Sequence, residues 1–373
     1  MRVYSNKLLA VFYYFTLIIF SFRMFAPLFG ISTSLFTVLI YGLALLLFLI
    51  DITYVSNFHV KKLFLYFLVT FPLIVFNYEY YIILALFIFI YIFRNQNVYK
   101  GIKIVGFSYF VFIMICLLLV SIGVLHDTKL MIPTKSTEPL HSIWGGNPNN
   151  TGALFGTFIF CIFVIAFEKK RNHYLYILAF TLSYYIYKLC GCRTFFMAEC
   201  FLFLFSIFLR FKVINRQFTL FPIFLLFMTF LLMYLWDKYS ENNFVGLINL
   251  LLTGRPILWL KQIGGNFSLS NILVGQARLK DIPQDSSYLE FILLGGLPLI
   301  SIFIVFYLRY VKKNAKFFNK SLLPIQAFAL AFFVSGFSES LFPKITELNL
   351  LVFLYLYKIV QEKDLVQLKL TEI

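Results

Sequence analysis

Arg255 stands in the run Thr253-Gly254-Arg255-Pro256-Ile257-Leu258-Trp259-Leu260-Lys261-Gln262-Ile263-Gly264-Gly265. Proline suits the first positions of a helix and a glycine pair suits its end, so the run predicts a short bounded helix. Its apolar residues and Trp259 predict a segment lying on a membrane surface. Arg255 then falls at the helix start, where free backbone N–H groups and the helix dipole already favour an anion. A guanidinium adds a planar fork that fits phosphate. A snorkelling surface arginine has the same spacing, so both readings stay open at this point.

Arg193 opens an apolar block in Gly191-Cys192-Arg193-Thr194 and is either a functional group or one half of a structural ion pair with Glu199 of that block. A charge at such depth is costly unless it is paired or faces a wet cavity. A third cluster reads Asp285-Ser286-Ser287-Tyr288-Leu289-Glu290-Phe291, followed by Leu294-Gly295-Gly296-Leu297-Pro298. Asp285 at a membrane rim fits either a helix N-cap or a general base that takes a hydroxyl proton. Glu290, one turn further in, is an intramembrane acid expected to face the bundle interior. The last candidate is the turn Gly145-Gly146-Asn147-Pro148-Asn149-Asn150-Thr151-Gly152, whose Asn149 could hydrogen-bond a sugar or serve turn chemistry alone.

The elements that must hold these residues are apolar blocks long enough to cross a bilayer. The chain has 373 residues, is 61% hydrophobic and only 13% charged, and its mean hydropathy is +0.88. Such a composition leaves too little polar surface to cover a soluble core. The apolar residues also arrive in blocks such as 102–124 and 195–209, against the need for about 20 residues per span. Spans are predicted near 8–22, 28–50, 62–77, 79–93, 102–124, 151–167, 174–190, 194–209, 217–236, 287–308, 321–337 and 345–358. The fold expected is an all-α polytopic membrane protein of about 12 transmembrane helices, one transmembrane domain over 1–373, with long outward loops near 125–150 and 237–286.

Charge sets the orientation. With both termini cytoplasmic, about two thirds of the 32 Lys and Arg residues fall on inside loops, among them Lys61, Arg94, Lys170, Arg210, Lys312 and Lys320. The net charge of +16 is therefore a topology signal and not a nucleic-acid footprint. The outward loop at 237–286 breaks the pattern with Lys238, Arg255, Lys261, Arg278 and Lys280. Long loops obey the rule poorly, yet cations gathered over one membrane face also suit an anionic substrate, and Arg278 joins the candidates on that ground. The five cysteines read as small apolar residues, and the four histidines lack metal-ligand spacing.

Asn147-Pro148-Asn149 before a span, Cys192-Arg193-Thr194 opening one, Thr253-Gly254-Arg255 with Trp259, and Asp285-Ser286-Ser287-Tyr288-Leu289-Glu290 before a glycine-rich span form an ordered set. That set resembles the O-antigen ligase and Wzy-type polysaccharide polymerase superfamily, over roughly residues 140–310. The resemblance implies a GT-C-type glycosyltransferase working at the outer face of the bacterial plasma membrane, with no metal or other cofactor. It implies sugar carried on undecaprenyl pyrophosphate, and a flippase and a chain-length regulator as partner proteins. Arg193 and Arg255 match the family's outward arginines, thought to hold the pyrophosphate, and Asp285 matches the position expected for the base. Ligases typically carry His-Asn where this chain has Asp285-Ser286, a departure that favours a polymerase over a ligase. Arg278, Asn149, Tyr288 and Glu290 are the expected substrate contacts. The rival class is a flippase or transporter of lipid-linked glycan; polar residues and broken helices at the midplane, in two related halves, would mark it.

Overall fold

Apolar chain in lipid can satisfy its backbone only within a helix or a closed barrel, and blocks of this length fold as helices. A computed structural model describes residues 2–54, 80–126, 128–130, 140–142, 148–168, 173–252, 254–263, 273, 286–316, 319–337, 339 and 346–361. The helices are α1 (Arg2–Phe25), α2 (Thr33–Tyr54), α3 (Tyr80–Ile92), α4 (Val98–Ser121), α5 (Pro148–Glu168), α6 (His173–Cys190) and α7 (Arg193–Phe208). They continue with α8 (Lys212–Phe218), α9 (Phe221–Tyr239), α10 (Asn243–Leu251), α11 (Arg255–Gln262), α12 (Ser287–Lys316), α13 (Leu323–Gly336) and α14 (Glu347–Gln361). The predicted span at 62–77 lies outside the described residues; each of the others overlaps a helix, that at 217–236 running from α8 across a break into α9.

Among the described residues, five stretches are by themselves long and apolar enough to cross a membrane: Lys7–Phe29, Val98–Ser121, Asn150–Phe167, Lys212–Tyr239 and Gly295–Lys316. The pair α10 and α11, bent by 92° at a short break, would make a sixth if counted as one broken span. Large apolar side chains point outward along α1, α2, α4, α6, α7 and α9, with Val38 at 69%, Phe107 at 68% and Ile177 at 64% exposure. Side chains of that kind on so many helices have lipid as their natural solvent.

Two helices form the centre. In α13 only Val334 escapes full burial, and α13 packs against α5, α7, α9 and α14. Helix α14 is buried over most of its length between α3, α4, α12 and α13. A helix that is apolar all round has no preferred outer face, which is why α13 sits inside.

Close packing around the candidate residues depends on small side chains. Gly152 and Gly156 of α5 form a G-x-x-x-G stripe, and a Cβ on either would run into Cys192 or Phe195 at the start of α7. Apolar helices in lipid associate through such stripes because the backbones can approach. Helix α12 is broken at Gly296 (φ 52°, ψ −152°), two residues before Pro298. Proline there removes a helical donor, and the glycine takes the backbone angle that other residues avoid.

One element corrects the all-α expectation. Thr128–Leu130 (β1) and Leu140–Ser142 (β2) pair antiparallel, with Thr128 opposite Ser142 and Leu130 opposite Leu140. Leu140 is buried against Gly191, the turn residue with φ 63° between α6 and α7. The small ribbon between α4 and α5 thus presses on the turn that delivers Arg193.

At the far end of α12 and the start of α13 sits a buried polar knot. Asn215 of α8 donates to Gln326 Oε1 at 2.9 Å and accepts from Asn314 at 3.1 Å, while Gln326 donates to Thr219 Oγ1 at 3.0 Å. Every member is hydrogen-bonded, as a buried polar group in an apolar bundle must be.

Candidate functional site

Arg255 is the first residue of α11, and its N-cap is Gly254 at φ 78°. The left-handed turn at Gly254 is what lets the chain leave α10 and start α11 at so sharp an angle. Pro256 follows at the second position, where its missing N–H costs nothing. Trp259, one turn on, is fully buried, its ring 5.4 Å from Phe337 at 81°; Phe337 in turn lies 6.5 Å from Tyr288. The surface-lying role expected for this segment is therefore corrected: α11 packs against α9, with its tryptophan inside the protein.

That anchoring aims the guanidinium at two other elements. Arg255 Nη2 lies 3.5 Å from Thr194 Oγ1 and 3.9 Å from Glu339 Oε1. Thr194 is the second residue of α7, next to Arg193, so two of the arginine-bearing segments meet. Glu339 lies just past the end of α13 and is fixed from the other side. Its carbonyl accepts from Ser287 N at 3.0 Å and from Ser287 Oγ at 2.7 Å, and Ser287 is the first residue of α12. The starts of α7, α11 and α12 thus converge around one ion pair whose side chains are 19% and 22% exposed.

Arg193 is exposed at the first position of α7. Of the two readings of Arg193, the ion pair with Glu199 is not made. Glu199 is buried and accepts a hydrogen bond from Ser183 of α6. Six residues along a helix of 3.6 residues per turn lead to the other side of it, away from Arg193. Asp285 and Arg278 lie outside the described residues. Asn149 is the second residue of α5, at its N-terminus. Tyr288, expected to touch substrate, is fully buried with its hydroxyl donating to the Phe333 carbonyl at 3.2 Å. Glu290 is 1% exposed and lies in the bundle interior, where an acid in a span was expected to face.

Two carboxylates escaped the sequence reading. Glu339 sits in what reads as a short connection between spans, and only its contact with Arg255 marks it. Glu347, at the start of α14 and 2% exposed, accepts from Tyr109 Oη of α4 at 2.6 Å and ties those two helices together. Among the described residues no three His, Cys, Asp or Glu side chains gather as metal ligands would. No family model, no curated protein and no solved structure matches this chain.

Proposed function

We propose that the protein polymerises lipid-linked oligosaccharide repeat units for a capsule, exopolysaccharide or O-antigen. The observation that carries this reading is the meeting of the Arg255 and Arg193 segments at converging helix starts. A cation in the first turn of a helix opposes the dipole at a cost of about 0.3–1 kcal/mol, a cost that a bound anion reverses. Arg255 meets Glu339 where three helix N-termini converge, and Arg193 stands exposed at one of them. A departing pyrophosphate needs such a preorganised surrounding.

In this reading the chain is a GT-C-type bundle of about 12 spans in the bacterial plasma membrane, both termini cytoplasmic, with the arginines at the outer face. The donor is a growing glycan on undecaprenyl pyrophosphate; the acceptor is the non-reducing end of a new lipid-linked unit. The acceptor O–H loses its proton to a carboxylate, Asp285 in preference to the buried Glu290. Its oxygen bonds the donor's anomeric carbon, and the carbon–oxygen bond to pyrophosphate breaks with its electron pair on the leaving group. Arg193 and Arg255 meet the charge that builds there. Holding two lipid-anchored substrates in one plane removes much of the entropy of their encounter.

The test is the polymer ladder of a deletion strain complemented with variants. Deletion is expected to leave single capped repeat units; intact but undelivered polymer would point to a ligase, and inward-facing lipid-linked units to a flippase. Arg255→Lys keeps the charge and loses the bidentate fork, so polymer should fall roughly ten- to hundredfold, the worth of one charge-assisted contact of about 1.5–3 kcal/mol. Normal ladders from both Arg193→Ala and Arg255→Ala, at normal membrane abundance, would end the pyrophosphate role.

A further inference from the structure

An arginine site at the rim of a bilayer has a competitor problem. Bilayers contain phosphodiester headgroups carrying one negative charge, in great excess over any lipid-linked sugar, and a bare arginine fork binds them as readily as it binds a phosphate of the donor. Glu339 answers that problem by its position. Its backbone is held to α12 through the two Ser287 hydrogen bonds, which keeps Glu339 beside the site. Yet Oε1 stands 3.9 Å from Arg255 Nη2, well beyond the 2.7–2.9 Å of a tight charge-assisted bond, and both side chains are about one fifth exposed. The pair is long and partly exposed, which suits exchange.

We propose that Glu339 is a specificity-determining residue that occupies the Arg255 fork until a doubly charged pyrophosphate diester displaces it. A headgroup with a single charge offers Arg255 only what Glu339 already supplies, and adds repulsion from the tethered carboxylate. A pyrophosphate diester carries a second charge, which Arg193 and the α7 and α11 helix starts receive while the first replaces Glu339. The inference rests on the pyrophosphate reading above and adds to it the charge threshold of the site.

The experiment uses the full-length protein in phosphatidylcholine nanodiscs, with a prenyl-pyrophosphoryl sugar as the doubly charged probe and phosphatidylglycerol as the singly charged competitor. In the wild type, phosphatidylglycerol should barely displace the probe. Glu339→Gln should gain affinity for phosphatidylglycerol by about two- to fivefold, as expected for loss of a partly exposed competing charge, and the probe should become displaceable. Glu339→Asp should keep the discrimination, which a merely structural role of the residue would not require. Unchanged selectivity in Glu339→Gln, with the probe still bound, would overturn the inference and leave the pyrophosphate reading intact. A wild type that does not bind the probe would overturn both.

Discussion

At the residue scale, two serine hydroxyls mark the start of α12. Ser286 Oγ accepts from Leu289 N at 3.4 Å and Ser287 holds the Glu339 carbonyl, so hydroxyls attend the free end of this helix. Asp285 need not be a cap for α12 to form. Asp285→Asn should leave the protein's thermal stability within about 0.5 kcal/mol, because Asn caps a helix about as well as Asp. If Asp285 takes the acceptor's proton, the same change abolishes polymer on the ladder, because an amide cannot accept that proton usefully. Full polymer from Asp285→Asn would pass the role to Glu290, with Glu290→Gln as the next variant. Residue types and spacing singled out Arg193, a charge set directly against an apolar block, and Arg255, a charge at a proline-started helix. Glu339 was not legible: its meaning lies wholly in a contact with a residue on another element.

At the element scale, the helices were readable because apolar blocks in lipid have one way to satisfy their backbone, and proline and glycine mark where they start and stop. The β1–β2 ribbon was not, because Thr-Lys-Leu and Leu-His-Ser are too short to show alternation. Nor was the burial of Trp259, since an amphipathic octapeptide packs on protein or membrane with the same sequence. What positions Arg193 is the contact of the Gly152 and Gly156 stripe with Cys192 and Phe195. Overpacking a tight interface typically costs about 1–3 kcal/mol. Gly156→Leu should therefore lower thermal stability by that order and reduce polymer even though no charged group is touched. Gly246→Ala, where a Cβ meets nothing within 4 Å, is the matched control and should do neither. Equal behaviour of the two variants in a detergent melting assay would remove the stripe from the account of how α7 is held.

At the scale of the whole molecule, the polar groups divide between the two ends of the bundle in different ways. The ion pair Arg255–Glu339 gathers three helix starts and is partly exposed, whereas the Asn215, Asn314, Thr219 and Gln326 knot is buried and hydrogen-bonded within itself. The first arrangement suits exchange with a ligand; the second suits a fixed joint between α8, α12 and α13. Around that joint lie Arg210, Lys212, Arg216, Arg309, Lys312 and Lys320, the densest run of cations that the positive-inside rule assigns to the cytoplasm. Chain direction then sets the other end: α13 runs from the knot at Gln326 toward Glu339, so if the knot is inside, the ion pair is outside. Lys312 and Lys261 are both exposed and belong to opposite ends in this scheme. In a background with the five native cysteines replaced, a cysteine at Lys261 should react with a membrane-impermeant maleimide in intact cells. One at Lys312 should react only after the membrane is opened. The reverse pattern would place the arginine site in the cytoplasm, where a polymerase fed by outward-flipped units has no substrate.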